Sequence, residues 1–278
     1  MKRYRVLGSD IDSRASVLSI VIQDEWDSQV QEMHHRNQQL LRQELIREFG
    51  EEDAPTKLDN FMALGNAPFS VLAFHNKFLR QVRTAFVMGS YYPALTGACA
   101  LGERVLNHLL LGLRESYKHT PQYKRVFRKD SFDDWLFIID ILEAWGVLIP
   151  EASNAYRKLA KLRNQSIHFK PDLDHNDREL ALDAIKTLSR EIDAQFTAFG
   201  VRPWFIPGTP GVSFIKKEAE RDPFVKLVYL PNCALVGPLH TLEARIDGVT
   251  HWMVHDDHAY EAHEITDDEF AQIVRNHR

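Results

Sequence analysis

Apolar positions recur at helical spacing through roughly the first two hundred residues, and the pattern changes after Gly200. From Asp24 to Phe49, Trp26, Val30, Met33, Leu40, Leu41 and Leu45 form a partial apolar stripe among strong helix formers, and Gly50 follows. This predicts a long amphipathic helix. "GEEDAPTKLDN" reads as an exposed connection, since Pro55 and the acidic residues discourage a packed element. From Pro68, "FSVLAFHNKFLRQVRTAFVMGSYY" and "ALTGACALGERVLNHLLLGLRESY" predict two bundle helices broken near Pro93. Ser131, with Asp134 three positions on, resembles a capping box opening "FDDWLFIIDILEAWG". That third helix has Phe132, Trp135, Ile139 and Leu142 on one stripe and Phe137, Ile138 and Ile141 on neighbouring faces. A helix apolar over most of its circumference must be covered on several sides, by its own bundle or by a second subunit.

The fourth helix runs from Pro150 through "EASNAYRKLAKLRNQSIHF", with Ala155, Leu159, Leu162 and Ser166 on one face. Pro171 disfavours helical geometry at Lys170, so the helix should end around His168. "RELALDAIKTLSREIDAQFTAFG" predicts a fifth helix with a glycine stop. Beyond it, "FVKLVYL" reads as a short strand, and two alternating runs flank Asp247-Gly248 as a hairpin. Thr266 and Glu269 have capping-box spacing, and Ile265 with Phe270 that of a hydrophobic staple. The expectation is a mainly α chain in three parts. Residues 1–66 form a long N-terminal helical arm, 67–200 a helical bundle, and 201–278 a small antiparallel β-rich subdomain.

Composition narrows the chemistry. A formal net charge of -5 excludes a globally basic nucleic-acid coat, so any polyanion must meet a local patch. Cys99 and Cys233 supply neither a disulfide framework nor a zinc set, which suits a reducing cytosol. The start, "MKRYRVLGSDIDSR", meets charges before any apolar core and does not read as a signal peptide. Thr84 to Gly102 is uncharged and nearly long enough to cross a bilayer. Ser90, Pro93, Thr96 and the glycines argue instead for closely packed buried helices, so no membrane is expected.

The chemistry-bearing constellation is Arg163, Asn164 and His168 in "KLRNQSIHFKP". Asn164 and His168, four apart, share a helix face; Arg163 lies about 100° round from Asn164 and can reach the same space. A guanidinium grips a phosphodiester, an imidazole takes a proton from an attacking hydroxyl, and an amide orients either. The same residue types also cap helix carbonyls or sit as hydrogen-bonded structural groups, and spacing leaves both readings open. "YRKLAKLRNQSIHF", following "IIDILEAWGVLIP" and "YYPALTGACALGERVLNHLL", resembles the HEPN superfamily over roughly residues 68–200. Its signature is an arginine, a polar residue, and a histidine a few positions on. The resemblance implies a HEPN-like helical bundle, homodimeric, with paired signatures facing across the interface. Many members are metal-independent endoribonucleases. On that likeness His168 is the general base on the RNA 2'-hydroxyl, Arg163 stabilises the phosphorane-like transition state, Asn164 positions His168 or phosphate, and the product is a 2',3'-cyclic phosphate. A toxin or defence role with an inhibitory protein partner belongs to the same expectation, as does the alternative of a non-catalytic nucleotide- or protein-binding module. Some members paired with a nucleotidyltransferase antitoxin carry a tyrosine two residues after the histidine; here Lys170 stands there, so that mode of regulation is not implied.

An RNA surface is sought in two clusters: Lys124, Arg125, Arg128 and Lys129, with Lys118, Tyr123 and Phe127 nearby, and Arg157, Lys158 and Lys161 ahead of Arg163. A solvated basic loop is the other reading. The acidic run Asp256, Asp257, Glu261, Glu264, Asp267, Asp268 and Glu269 could cover that surface at rest. His251 and His255 point to one face of their strand, the wet one, and no metal site is expected there. There is no phosphate-cradling glycine loop or serine-nucleophile elbow, and no cofactor is expected.

Overall fold

The computed structural model describes residues 1–7, 10–70, 73–167, 177–197, 202–246 and 250–277. Two short strands, β1 (Arg3–Val6) and β2 (Asp10–Asp12), precede helices α1 (Arg14–Leu18), α2 (Ser28–Phe49) and α3 (Ala54–Leu64). Strand β3 (Ala67–Ser70) leads into α4 (Ala73–Val87), α5 (Tyr91–Leu113), the short α6 (Tyr123–Val126), α7 (Trp135–Ala144), α8 (Pro150–Ile167) and α9 (Asp177–Phe196). Strands β4 (Cys233–Val236), β5 (Thr241–Ile246) and β6 (Thr250–His255) and helix α10 (Asp267–Asn276) complete the order. The protein is therefore mainly helical with small two-stranded antiparallel sheets, as its periodicity predicts.

Helix α5 is the axis of the bundle, packing against α4, α7, α8 and α9. Ala94, Leu95, Ala98, Cys99, Leu101, Val105, Leu106, Leu109, Leu110 and Leu113 are all buried along it. Gly102 permits the closest approach: a methyl there would lie 2.7 Å from Leu159 Cδ2 and 2.9 Å from the Trp135 ring. The break before α5 falls at Met88–Ser90, with Gly89 at φ +78°, rather than at Pro93. Pro93 occupies the first turn of α5, where its missing N–H would have no intrahelical partner anyway. No helix among the described residues is long and apolar enough to cross a membrane. The third bundle helix is covered by its own chain: Trp135, Ile138, Ile139, Ile141 and Leu142 are buried, while Leu136 stays half exposed. Its cap is Asp134, whose Oδ1 accepts the Phe137 N–H at 3.1 Å, and not Ser131, because the helix begins one turn later than the expected box.

The chain ends meet. β1 lies antiparallel to β4 with Arg3 opposite Val236, so residues 3–6 of the expected helical arm belong to the C-terminal layer. There Ile206, Phe214, Val236, Ile265, Phe270 and Val274 form a second apolar cluster. Arg3 is buried and donates to Asp267 Oδ1 at 2.8 Å, to Glu264 and to the Ile265 carbonyl. The Thr266–Glu269 capping box forms as expected. β5 and β6 pair from Thr241 opposite His255 to Ile246 opposite Thr250; Asp247 and Gly248 lie outside the described residues. "FVKLVYL" is helical rather than a strand, with Val225–Tyr229 wound as a π-helical turn. Asp222 Oδ1 caps it, accepting from the N–H groups of Phe224 and Val225 at 2.8 and 3.1 Å. Phe224, Val225, Val228 and Tyr229 are its buried residues, a spacing that serves one helical face.

Candidate functional site

Helix α8 carries the expected site, and its orientation follows from its apolar stripe. Ala152, Ser153, Tyr156, Leu159, Ala160 and Leu162 are buried, whereas Lys158, Lys161 and Asn164 face outward. Arg163 sits at the edge of that stripe, about a quarter exposed. Its guanidinium lies over the Trp135 ring, 5.8 Å from the centroid, and its Nη2 is 3.3 Å from Glu103 Oε2. The same Glu103 oxygen accepts from Trp135 Nε1 at 3.1 Å, so one carboxylate joins α5, α7 and α8. Beside it opens a small cavity of about 180 Å³ lined by Arg163, Asn164, Ala160, Trp135, Asp133 and Asp134 among others. Guanidinium and exposed amide thus share an open recess. His168, the third member of the expected triad, lies outside the described residues.

The two basic clusters have different surroundings. On α8, Arg157 Nη2 contacts Asp140 at 2.7 Å and Glu143 at 2.8 Å, and Lys158 pairs with Asp183 at 2.5 Å. Lys161 is exposed and has no ion pair among the described residues. In the connection before α7, Lys124, Arg125, Arg128 and Lys129 are all exposed and none has an ion pair among the described residues. They rest on rings instead. Arg125 lies 4.6 Å from the Phe137 centroid, Arg128 5.0 Å from Phe127, and Lys129 5.5 Å from Phe132. Tyr123 and Phe127 are themselves stacked at 5.6 Å, and Phe132 and Phe137 at 5.8 Å. Residues 132–137 therefore carry Arg125 and Lys129 on two rings and Arg163 on a third, Trp135.

The acidic run is occupied elsewhere. Asp256 pairs with Lys2 at 3.3 Å, Glu264 and Asp267 hold Arg3, and Glu269 caps α10. Asp256, Glu264 and Asp267 thus fasten the chain start. His255 pairs with Glu243 at 3.2 Å, and among the described residues no group of three or more His, Cys, Asp or Glu could hold a metal ion.

Buried titratable groups on the inner helix faces were not anticipated. Glu191 of α9 and Tyr156 of α8 are fully buried, and neither the carboxylate oxygens nor the phenol has a hydrogen bond among the described residues. Burial is the larger influence and pushes the Glu191 carboxyl up to about 8. His75 of α4 is buried with its ring 5.0 Å from that of His108. Burial first, then His108 and Arg104, pulls His75 down to about 4 and keeps it neutral at physiological pH. Each sits within an otherwise apolar stripe, which is the signal sequence reasoning could have used. Compared with family models, curated proteins and solved structures, the chain matches none.

Proposed function

We propose that the protein is a metal-independent endoribonuclease of HEPN type, cleaving RNA by 2'-hydroxyl attack. One observation supports this reading above the others: cations with no carboxylate partner among the described residues, Arg125 and Lys129, converge with Arg163 on the rings of a single stretch, Phe132 to Phe137. Exposed cations alternating with aromatic faces suit a single strand, whose phosphates need charge and whose bases stack. In this reading Arg163 holds the scissile phosphate over the recess beside Asn164, and Glu103 with Trp135 keeps the guanidinium in place. His168 is the general base. A homodimer with facing signatures, a toxin or defence role and an inhibitory protein partner complete the proposal. The half-exposed Leu136 at the lip of the recess is an apolar group such an interface would cover.

A second reading has its own support. Glu103 already neutralises Arg163, and Asp133 and Asp134 line the recess, which favours a non-catalytic module binding a nucleotide or protein. Incubating mixed RNAs with wild type, Arg163→Ala and His168→Ala in EDTA separates the two. The nuclease reading expects cleavage by wild type, 2',3'-cyclic phosphate ends, and a loss of roughly 100-fold or more in either variant. RNA retention without cleavage favours the module, and equal cleavage by all three removes the assigned base.

A further inference from the structure

A second cavity, of about 450 Å³, lies between the start of the chain and α4, away from the α8 recess. Its volume is in the range of small-molecule sites. Ser13, Glu48 and Thr84 on its rim are exposed, whereas Arg83 and Asn76 in its lining are each more than nine-tenths buried. Arg83 donates to the carbonyls of Gly65 and Asn66, which employs two of its five N–H donors. No carboxylate among the described residues comes within ion-pair reach of it. The nearest acid to act on it, Asp12, is bound by Arg14 through both carboxylate oxygens. Burial pulls Arg83 down to about 10, Asp12 opposing and Arg14 reinforcing that shift. The Asn76 amide, on the same face of α4, makes no hydrogen bond among the described residues. Asn76 and Arg83 thus keep polar valences on the cavity side, where a ligand's oxygens can fill them.

Phe49, Phe61 and Leu79 supply an apolar wall, and the space exceeds what one inorganic phosphate would fill. Asp12 and Glu48 also border it, which opposes a polyanion. We propose that this cavity binds a small organic anion, a phosphate ester or carboxylate on a flat apolar body, with Arg83 holding the anionic oxygens and Asn76 a neighbouring polar group. The site is independent of the α8 reading.

Calorimetric titration of the full chain with phenyl phosphate, benzoate and adenosine 5'-monophosphate, against inorganic phosphate and phenol as controls, tests it. At least one aromatic anion is expected to bind with a Kd below about 1 mM, roughly tenfold or more tighter than either control. The preferred probe identifies the headgroup as phosphate or carboxylate. Thr84→Trp, which fills the mouth from an exposed position, and Asn76→Leu should each weaken binding roughly tenfold or more, while Arg163→Ala binds like wild type. Circular dichroism confirms that the variants are folded. Absence of binding by all three anions, binding no tighter than the controls, or unchanged affinity in both cavity variants overturns the proposal.

Discussion

Two buried arginines, Arg3 at the meeting of the chain ends and Arg83 on α4, are 1% and 7% exposed, yet they stand in opposite electrostatic situations. Arg3 has Asp267 and Glu264 as partners and the Ile265 carbonyl besides. Burial works against its charge, but those two carboxylates outweigh it and hold the guanidinium above its ordinary value. Arg83 has two backbone carbonyls, and burial prevails. Burial alone therefore does not tell what a charge is for. A cation with its counter-ions built in fastens the fold, and one without them faces a cavity that a ligand's charge would complete.

The largest expected effect tests the fastened member. Arg3→Ala removes a buried side chain with its charge-assisted hydrogen bonds to Asp267 and Glu264 and its bond to the Ile265 carbonyl, and should cost about 2–4 kcal/mol, read as a lowered urea midpoint with unchanged slope. Glu264→Gln should cost far less, because Glu264 is more than half exposed and water replaces the lost partner.

Acids show the same contrast. Asp12 is held below the ordinary carboxylate range because its bonds to Arg14 outweigh burial, whereas fully buried Glu191 has no cation beside it among the described residues and is pushed up to about 8. The folded-state value of Glu191 lies above its ordinary 4.5, so the folded state keeps a proton that the unfolded chain loses. Its contribution to stability is therefore full below pH 4.5 and lost as pH rises to about 8. Urea titrations across that window should show wild type losing up to about 1.4 kcal/mol per pH unit relative to Glu191→Gln, which lacks the titration. Equal slopes would mean that Glu191 is ionised in the folded state.

Packing at the bundle axis gives a smaller change. Gly102→Val places methyls against Leu159 and Trp135 and should cost about 1–3 kcal/mol by thermal denaturation. Arg83→Met has the smallest expected effect. Release of the buried charge offsets two lost hydrogen bonds, leaving stability within about 1 kcal/mol of wild type. A loss as large as that of Arg3→Ala would make Arg83 a fastening residue too.

Much of the fold was legible because its signals are local. The α5 and α7 stripes, the Thr266–Glu269 box and the β5–β6 hairpin each depend on residues a few positions apart. "FVKLVYL" misled because a short apolar run serves a buried strand or a buried helix equally, and a side chain upstream, Asp222, decides between them. The candidate site was legible as residue types but not as charge. Arg157 and Lys158 look like free cations until α7 and α9 bring Asp140, Glu143 and Asp183 beside them. Asn76, Arg80, Arg83 and Thr84 do lie at helical spacing on α4, a polar face that periodicity could have flagged.

The sequence alone determined the long helices of the bundle, the Thr266–Glu269 cap and the placement of Arg163 and Asn164 near the end of α8, since backbone hydrogen bonding and side-chain periodicity act over single turns, but not α3 (Ala54–Leu64), which forms where an exposed connection was expected. Tertiary structure decided which charges are spent. β1 pairs with β4 from more than two hundred residues away, and Arg3, Arg83 and Arg163 acquire different partners from the elements packed around them. Electrostatic energy depends on distance through space and on the water excluded between groups, and neither is written in the spacing of residues along a chain.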